Sequence, residues 1–214
     1  GASAIVSNKK INYKNCETPF FLVNDVRKSL AEACSIFYQK KPLNIIAVTG
    51  TNGKSSVADF FYQILKLNKI SVASIGTLGV FSKNYNKKIN LTSMDPLSLH
   101  KTLEILSKKR IKNVILEASS HGLEQRRLDY LKIKTGIFTN LSHDHLDYHK
   151  NMHLYLNSKM YLFKNLLKKN CKIITDKDNK EFEIIKKIAK QKDIQPITIG
   201  SRSGNLKILS NKYR

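Results

Sequence analysis

From residue 43 onward, short apolar runs alternate with stretches of helical periodicity. Residues 45–48 (Ile-Ile-Ala-Val) predict a strand. Residues 55–69 predict a helix, with Val57, Phe60, Phe61, Ile64 and Leu65 spaced as one face. The alternation continues with strand 72–75 and helix 96–109, whose Leu99, Leu103 and Leu106 face inward. Strands 114–116 and 136–139, helix 152–169, strand 173–174, helix 181–190 and strand 196–199 complete it. Strands that are apolar throughout are buried on both faces. The pattern therefore predicts an α/β fold, a mostly parallel sheet with helices on both faces. The first 41 residues read differently. They offer strands at 4–6 and 19–23, a polar turn between them, and a helix capped by Asn24 or Asp25. Leu30, Ala33, Cys34 and Phe37 form that helix's expected apolar face. Two strands and one helix are too little for a separate core. Lys40-Lys41-Pro42 ends the helix and marks a boundary between segments 1–41 and 42–214.

The polar chemistry sits where strands end. Strand 45–48 runs into Thr49-Gly50-Thr51-Asn52-Gly53-Lys54-Ser55-Ser56, and a helix follows. Glycines let the backbone turn so that successive N–H groups point at phosphate oxygens, and a helix N-terminus adds positive potential. Lys54 would meet the terminal phosphates of ATP, and Ser55 would ligate Mg²⁺ through its hydroxyl. The general phosphate-loop pattern wants a glycine where Val48 stands. Glu117 closes strand 114–116 and leads into Ala118-Ser119-Ser120-His121-Gly122. Strand 136–139 leads into Asn140-Leu141-Ser142-His143-Asp144-His145-Leu146-Asp147-Tyr148-His149. All three loops lie at the carboxyl ends of strands, the edge at which open parallel sheets bind ligands. A hard cation bridging phosphates needs carboxylate oxygen, which Glu117 offers; zinc is the rival, since five of six histidines fall between positions 121 and 153. His143, His149 and His153 read individually as caps or surface residues.

Composition narrows the classes further. The chain has 214 residues, 41% hydrophobic, enough for one core or one domain plus part of another. Its net charge of +22 raises nucleic acid as a partner. Only six of the 38 basic residues are arginine, however, and specific readers favour arginine's planar fork. A lysine-rich soluble surface with no specific nucleic-acid partner is the reading that follows. No apolar run reaches the length of a membrane span, and the N-terminus lacks a signal peptide's layout. Cys16, Cys34 and Cys171 are too few and too scattered for a disulfide framework or zinc site, which fits a reducing cytoplasm. A chain that starts without methionine and almost at once turns apolar reads as a fragment.

Taken together, the motifs resemble the E-type branch of the Mur ligase family. The residues that carry the resemblance are Gly50–Ser56, Gly76-Thr77-Leu78-Gly79, Glu117–Arg127 and Thr139–His149, in that order. It implies a cytoplasmic, monomeric, ATP-dependent amide ligase of peptidoglycan and cell-wall synthesis, serving cell shape and division. Such an enzyme joins a diamino acid, meso-diaminopimelate or L-lysine, to UDP-N-acetylmuramoyl-L-alanyl-D-glutamate through an acyl phosphate. The alternatives are another Mur-type ligase, similar to folylpolyglutamate or cyanophycin synthetases, or a nucleotide-binding module without ligation. By the same resemblance Gly50, Thr51, Asn52, Gly53, Lys54, Ser55, Ser56 and Asn140 bind ATP. Lys54, Glu117, His145 and Lys159 are catalytic. Ser55, Glu117, His145 and Lys159, the last as a carbamate, hold two Mg²⁺ ions. Thr92, Ser93, Ser119, Gln125 and Arg127 contact the muramyl substrate; Leu91 and Met94 depart from the family's pattern beside that pair. Residues 1–41 match the tail of an N-terminal UDP-binding domain and 42–214 an incomplete central ATP-binding domain. A C-terminal amino-acid-recognising domain is missing, so the 214-residue chain alone is expected to be inactive.

Overall fold

The computed structural model describes residues 1–9, 18–201, 203–207 and 209. A small parallel pair, β1 (Ile5–Ser7) and β2 (Phe20–Leu22), precedes α1 (Val26–Phe37). The polar turn expected between the two strands lies outside the described residues. Asp25 caps α1, its carboxylate accepting from Lys28 N at 3.0 Å. The face of α1 differs from the expected one. Ala31 and Cys34 are buried, whereas Leu30 and Phe37 are exposed and Ala33 faces solvent. The helix packs through its Ala31 side on the helix at Pro96–Lys108, because the small side chains there allow close approach.

The remaining elements form one doubly covered sheet. In chain order they are β3 (Asn44–Thr49), α2 (Lys54–Leu67), β4 (Val72–Gly76), β5 (Gly79–Ser82), α3 (Pro96–Lys108), β6 (Asn113–Glu117), α4 (Ser120–Glu124) and β7 (Ile133–Phe138). Next come α5 (Leu146–His149), α6 (Met152–Tyr161), a π-helical turn at Leu162–Leu166, β8 (Lys172–Asp176), α7 (Phe182–Gln191), β9 (Ile197–Gly200) and β10 (Leu206–Lys207). The strand order is β10-β9-β8-β7-β3-β6-β4-β5, parallel except for β5, which pairs antiparallel with β4. Alternate residues of β3 and β6 enter different cores. Ile45, Ala47, Val114 and Leu116 meet Leu99, Leu103 and Leu106 of α3, Met160 of α6 and Ile185 of α7. Ile46, Val48 and Ile115 meet Ala58 of α2 on the opposite face.

Several elements of this sheet and its helices depart from the periodic reading. On α2 the packed residues are Val57, Ala58 and Phe61; Phe60 and Ile64 are 62% and 59% exposed. The expected stripe was too wide for a face that meets only the central strands. The helix predicted over 152–169 stops being α-helical at Tyr161 and widens into the π turn, closed by Leu167 N to Leu162 O at 3.1 Å. That widening lets Leu162, Phe163 and Leu167 all reach the core. The short β5, α4 and α5 were not anticipated, since four or five residues show no clear period.

β3 and β6 lie side by side, with Val48 opposite Glu117. The chain leaves β3 through α2 on one face and leaves β6 through α4 on the other. A crevice therefore opens between their carboxyl ends.

Candidate active site

The phosphate loop is built before any ligand arrives. Gly50 and Gly53 have φ of 146° and 82°, conformations that side chains rarely adopt. A Cβ on Gly50 would collide with the Thr139 hydroxyl. From the neighbouring loop, Asn140 O accepts from Thr51 N at 2.9 Å, and Thr139 Oγ1 donates to Asn52 O at 2.7 Å. The Asn140 side chain stands behind the loop, accepting from Asn52 N at 3.0 Å. Lys54 folds back over its own loop and donates to Gly50 O at 3.1 Å and Thr51 O at 2.7 Å. Burial lowers its pKa, against the opposing pull of Glu117 and Asp144.

Glu117 is 3% exposed and fully partnered. Its carboxylate accepts from Thr77 N at 3.0 Å, Thr77 Oγ1 at 3.3 Å and Ser55 Oγ at 3.0 Å. Gly76 leaves room for it: a Cβ there would overlap the carboxylate. Glu117 thus sits beside the serine expected to meet Mg²⁺, held by two hydroxyls and an amide. Ser93 braces the same strand end, donating to Glu117 O at 2.9 Å and accepting from Ser119 N at 2.9 Å. Ser119 caps α4 through Gly122 N at 3.1 Å.

Lys159 rises from α6 into this space at 1% exposure, donating to Gly50 O at 2.7 Å. Its ammonium lies 4.2 Å from the centroid of the Tyr155 ring, and Tyr155 Oη stands 3.2 Å from Thr51 Oγ1. Burial pushes Lys159 down to about 7, and the Lys54 charge adds to the shift. Gly50 O therefore receives two lysines, one from each side of the crevice.

One cavity of about 330 Å³ gathers most of the expected residues. Thr51, Asn52, Gly53, Lys54, Ser55 and Ser56 form one wall. Thr92, Glu117, Ser119, His145 and Lys159 form the rest, together with Thr77, Ser120 and Tyr155, to which the sequence reading gave no role. Gly50 and Ser93 are bonded to lining residues instead, the Gly50 carbonyl to Lys54 and Lys159 and the Ser93 hydroxyl to the Glu117 carbonyl. Gln125, Arg127 and Asn140 do not line the cavity. Arg127 reaches Ser93 O through Nη1 at 2.6 Å, and Gln125 Oε1 accepts from Arg127 Nε at 3.1 Å and Nη2 at 2.6 Å.

The histidines divide by environment. His145 has φ 52° and its ring meets those of His121 and Tyr155 edge-on, at 5.1 and 6.1 Å. His143 and His153 are exposed, as expected. His149, expected as a cap or surface residue, does not lie at the surface. It is 4% exposed, with Nδ1 3.4 Å from Glu124 Oε2 and its ring against Tyr155 at 5.1 Å. Burial and the nearby His121 and Lys159 push its pKa down to about 4. It ends α5, a helix of four residues, too short for periodicity to mark its buried side. Among the described residues no group of three or more His, Cys, Asp and Glu forms a metal cage. Magnesium does not need one, because it keeps waters and binds largely through substrate phosphates. The Glu117 carboxylate and Ser55 hydroxyl are oxygen donors of the hard type it prefers.

Known proteins place this geometry. The Mur ligase middle domain matches residues 48–214. The UDP-N-acetylmuramoyl-L-alanyl-D-glutamate–2,6-diaminopimelate ligase of Brucella melitensis is 44% identical over 179 residues, covering 84% of this chain and 37% of that protein. The ligase of the same name from Rickettsia bellii is 42% identical over 212 residues, covering 97% and 44%. The chain thus spans less than half the length of these relatives. A solved structure of a ligase with that name superposes with a TM-score of 0.81 at 30% identity, covering 95% of this chain and 41% of that one. MurF from Thermotoga maritima in complex with ADP shares the fold, with a TM-score of 0.60 at 21% identity over 95% of this chain and 43% of that one. With its phosphate loop, buried glutamate and inward lysine on one sheet edge, and with these matches, the chain belongs to the Mur ligase family.

Proposed function

We propose that this chain is the nucleotide- and muramyl-binding part of an ATP-dependent ligase. Its substrates are UDP-N-acetylmuramoyl-L-alanyl-D-glutamate and a diamino acid, with diaminopimelate favoured over lysine because the relatives above carry diaminopimelate in their names. The observation that carries the reading is the single cavity joining the phosphate loop, Glu117, Thr92, Ser119 and Lys159. Residues 1–41 belong with a UDP-binding unit and residues 42–214 with the ATP-binding unit.

The reaction activates a carboxylate, which attacks the γ-phosphorus of ATP. The P–O bond to ADP breaks, an acyl phosphate forms, and the amine of the diamino acid then displaces phosphate to make the amide. Both first reactants are anions, so the site must offset their repulsion. On nucleotide binding Lys54 exchanges its loop carbonyls for phosphate oxygens. The N–H groups at the start of α2 complete the cradle. Thr92, Ser119 and Arg127 orient the muramyl substrate, Arg127 through a carboxylate or pyrophosphate. Two Mg²⁺ ions, held by Glu117, Ser55 and His145, would supply charge neutralisation across the phosphates. Lys159 would join that set as a carbamate. Burial holds its ammonium down to about 7; the neutral amine would add through nitrogen to CO₂ with loss of a proton, leaving an anionic oxygen donor in place of an ammonium. A cytoplasmic monomer is what the resemblance of the motifs implies. Separately, no helix among the described residues is long and apolar enough to cross a membrane.

The test is product analysis with the full-length protein containing this chain. ATP, Mg²⁺ and the UDP-linked dipeptide are supplied with diaminopimelate, with lysine, or with neither. Stoichiometric tripeptide and phosphate with diaminopimelate are expected. Phosphate release without a new amide in any mixture would leave a nucleotide-binding module and end the ligase reading.

A further inference from the structure

Arg126 occupies a position that favours glycine. It follows the last turn of α4 with φ 60°, the left-handed conformation that closes many helices. Arg127 N, next in the chain, donates to Gly122 O at 2.9 Å and completes the closure. A side chain adopts this backbone conformation at a cost, so its surroundings must hold it there.

What holds it is a network drawn from three parts of the chain. Arg126 Nη1 donates to Tyr161 Oη at the end of α6, and the guanidinium lies 4.7 Å from the centroid of that ring. Tyr161 shares its hydroxyl proton between the two Asp129 oxygens, at 3.1 and 3.0 Å. Burial and the Asp129 carboxylate hold that hydroxyl up to about 12, which keeps its proton in place. Asp129 is 4% exposed, so its carboxylate needs the guanidinium 3.7 Å away. The other side of the guanidinium, Nε, meets Asp25 Oδ2 at 3.3 Å. Asp25 belongs to segment 1–41, where its second oxygen caps α1.

The apolar hold on that segment is small. α1 buries Ala31 and Cys34, while Leu30, Ile36 and Phe37 are exposed. Beyond the far end of α1 the chain is tied to α3, where Ser107 Oγ donates to Lys41 O at 3.2 Å and Glu104 Oε1 accepts from Lys40 N at 3.5 Å. α1 is thus tied at both ends, through the linker at one and through Arg126 at the other.

We propose that Arg126 is a positioning residue, the latch that registers segment 1–41 on the ATP-binding unit. The tie runs from the cap of α1 to the turn that carries Arg127. It therefore sets the spacing between the part that holds the UDP end of the substrate and the part that holds its muramyl end. This rests on the substrate and the division of the chain proposed above. The sequence reading gave Arg126 no role, and Asp25 only that of a cap.

Two variants of the full-length protein test it. D25N keeps an oxygen to cap α1 and removes the charge that faces Arg126. R126M removes the guanidinium altogether. Amide hydrogen exchange reads the latch directly, with no substrate present. Exchange across α1 is expected to accelerate about 2- to 5-fold in D25N, the range for one partly exposed ion pair. In R126M, which also strips Asp129 of its cation, the expected factor is about 10-fold or more. Strand β3 and the phosphate loop keep wild-type protection, and D25N adds nothing on R126M. KM for the UDP-linked dipeptide is expected to rise in the same proportion, with kcat and KM for ATP unchanged, a split that general loosening would not give. Unaltered exchange of α1 in both variants overturns the latch, whatever the activity. Faster exchange with an unaltered KM for the UDP-linked dipeptide overturns the positioning role. A wild-type enzyme that makes no tripeptide ends the ligase reading and the positioning role with it, while exchange still decides the latch.

Discussion

Glu117 binds three donors from two different loops before any ligand is present, and that partnership was invisible in the motif that contains it. The sequence marked the residue because a carboxylate closing a strand stands out. It could not show that Thr77, forty positions earlier, supplies both an N–H and a hydroxyl to hold it. Glu117→Gln keeps the shape and removes the charge. Turnover of the full-length enzyme is expected to fall roughly 100- to 1,000-fold, the scale for losing one electrostatic group at a reacting phosphate. Phosphate-release kinetics measure this, with thermal melting to confirm the fold; wild-type turnover would remove Glu117 from the mechanism. His149 shows the opposite failure, a residue dismissed by its neighbourhood in sequence and found buried. His100 is a second buried histidine, 0% exposed on α3, and burial with the nearby Lys41 charge holds it down to about 4. The unfolded chain takes up that proton near histidine's ordinary value of 6.5. Between the two values the unfolded state binds more protons, so stability is intact above 6.5 and is lost as pH falls toward 4. The slope contributed by one such group approaches about 1.4 kcal/mol per pH unit. His149 acts in the same window, so the informative quantity is a difference. His100→Leu is expected to flatten the urea-melt stability profile over this range relative to wild type; an unchanged slope would mean that His100 titrates freely.

At the scale of elements, periodicity located six of the eight strands of the main sheet and the four helices of ten or more residues that cover it, because buried parallel strands and amphipathic helices leave strong signals. It did less well at saying which way a helix faces. Five apolar residues of α2 looked equivalent, but the sheet takes up only the Val57–Phe61 side, leaving Phe60 and Ile64 outward. The difference is measurable in this chain by equilibrium denaturation. Phe60→Ser is expected to change stability by less than about 0.5 kcal/mol. Phe61→Ser, which removes an aromatic ring from the smaller core, is expected to cost about 2–3 kcal/mol. Equal losses from both would show that α2 sits rotated from the described position. The π turn after α6 was equally unreadable, since the apolar spacing of residues 162–167 fits a continuing helix. What decides the matter is the need to bury Leu162, Phe163 and Leu167 together, a condition set by the sheet beneath them.

For the whole molecule, the fold class followed from alternation alone, whereas strand order did not. Nothing local says that β6 inserts between β3 and β4, yet that insertion is what sets Glu117 beside the phosphate loop. The net charge of +22 is the remaining global feature, and the structure narrows its meaning. Two of the six arginines are already engaged within the protein. Arg126 meets Asp25 at 3.3 Å and lies over the Tyr161 ring at 4.7 Å, while Arg127 is held by Gln125 and Ser93. The field is therefore carried mainly by lysines, which attract anions as point charges without reading base edges. Such a surface can raise the local concentration of ATP and a UDP-linked, carboxylate-bearing substrate. It also binds nucleic acid in a way that has a clear signature. Unrelated DNA duplexes are expected to be retained equally on filters at about 50 mM salt and to be released by about 200 mM, because counterion release dominates. Retention that depends on sequence, or that survives the higher salt, would mean that a specific nucleic-acid surface exists and that the charge serves more than the enzyme's anionic substrates.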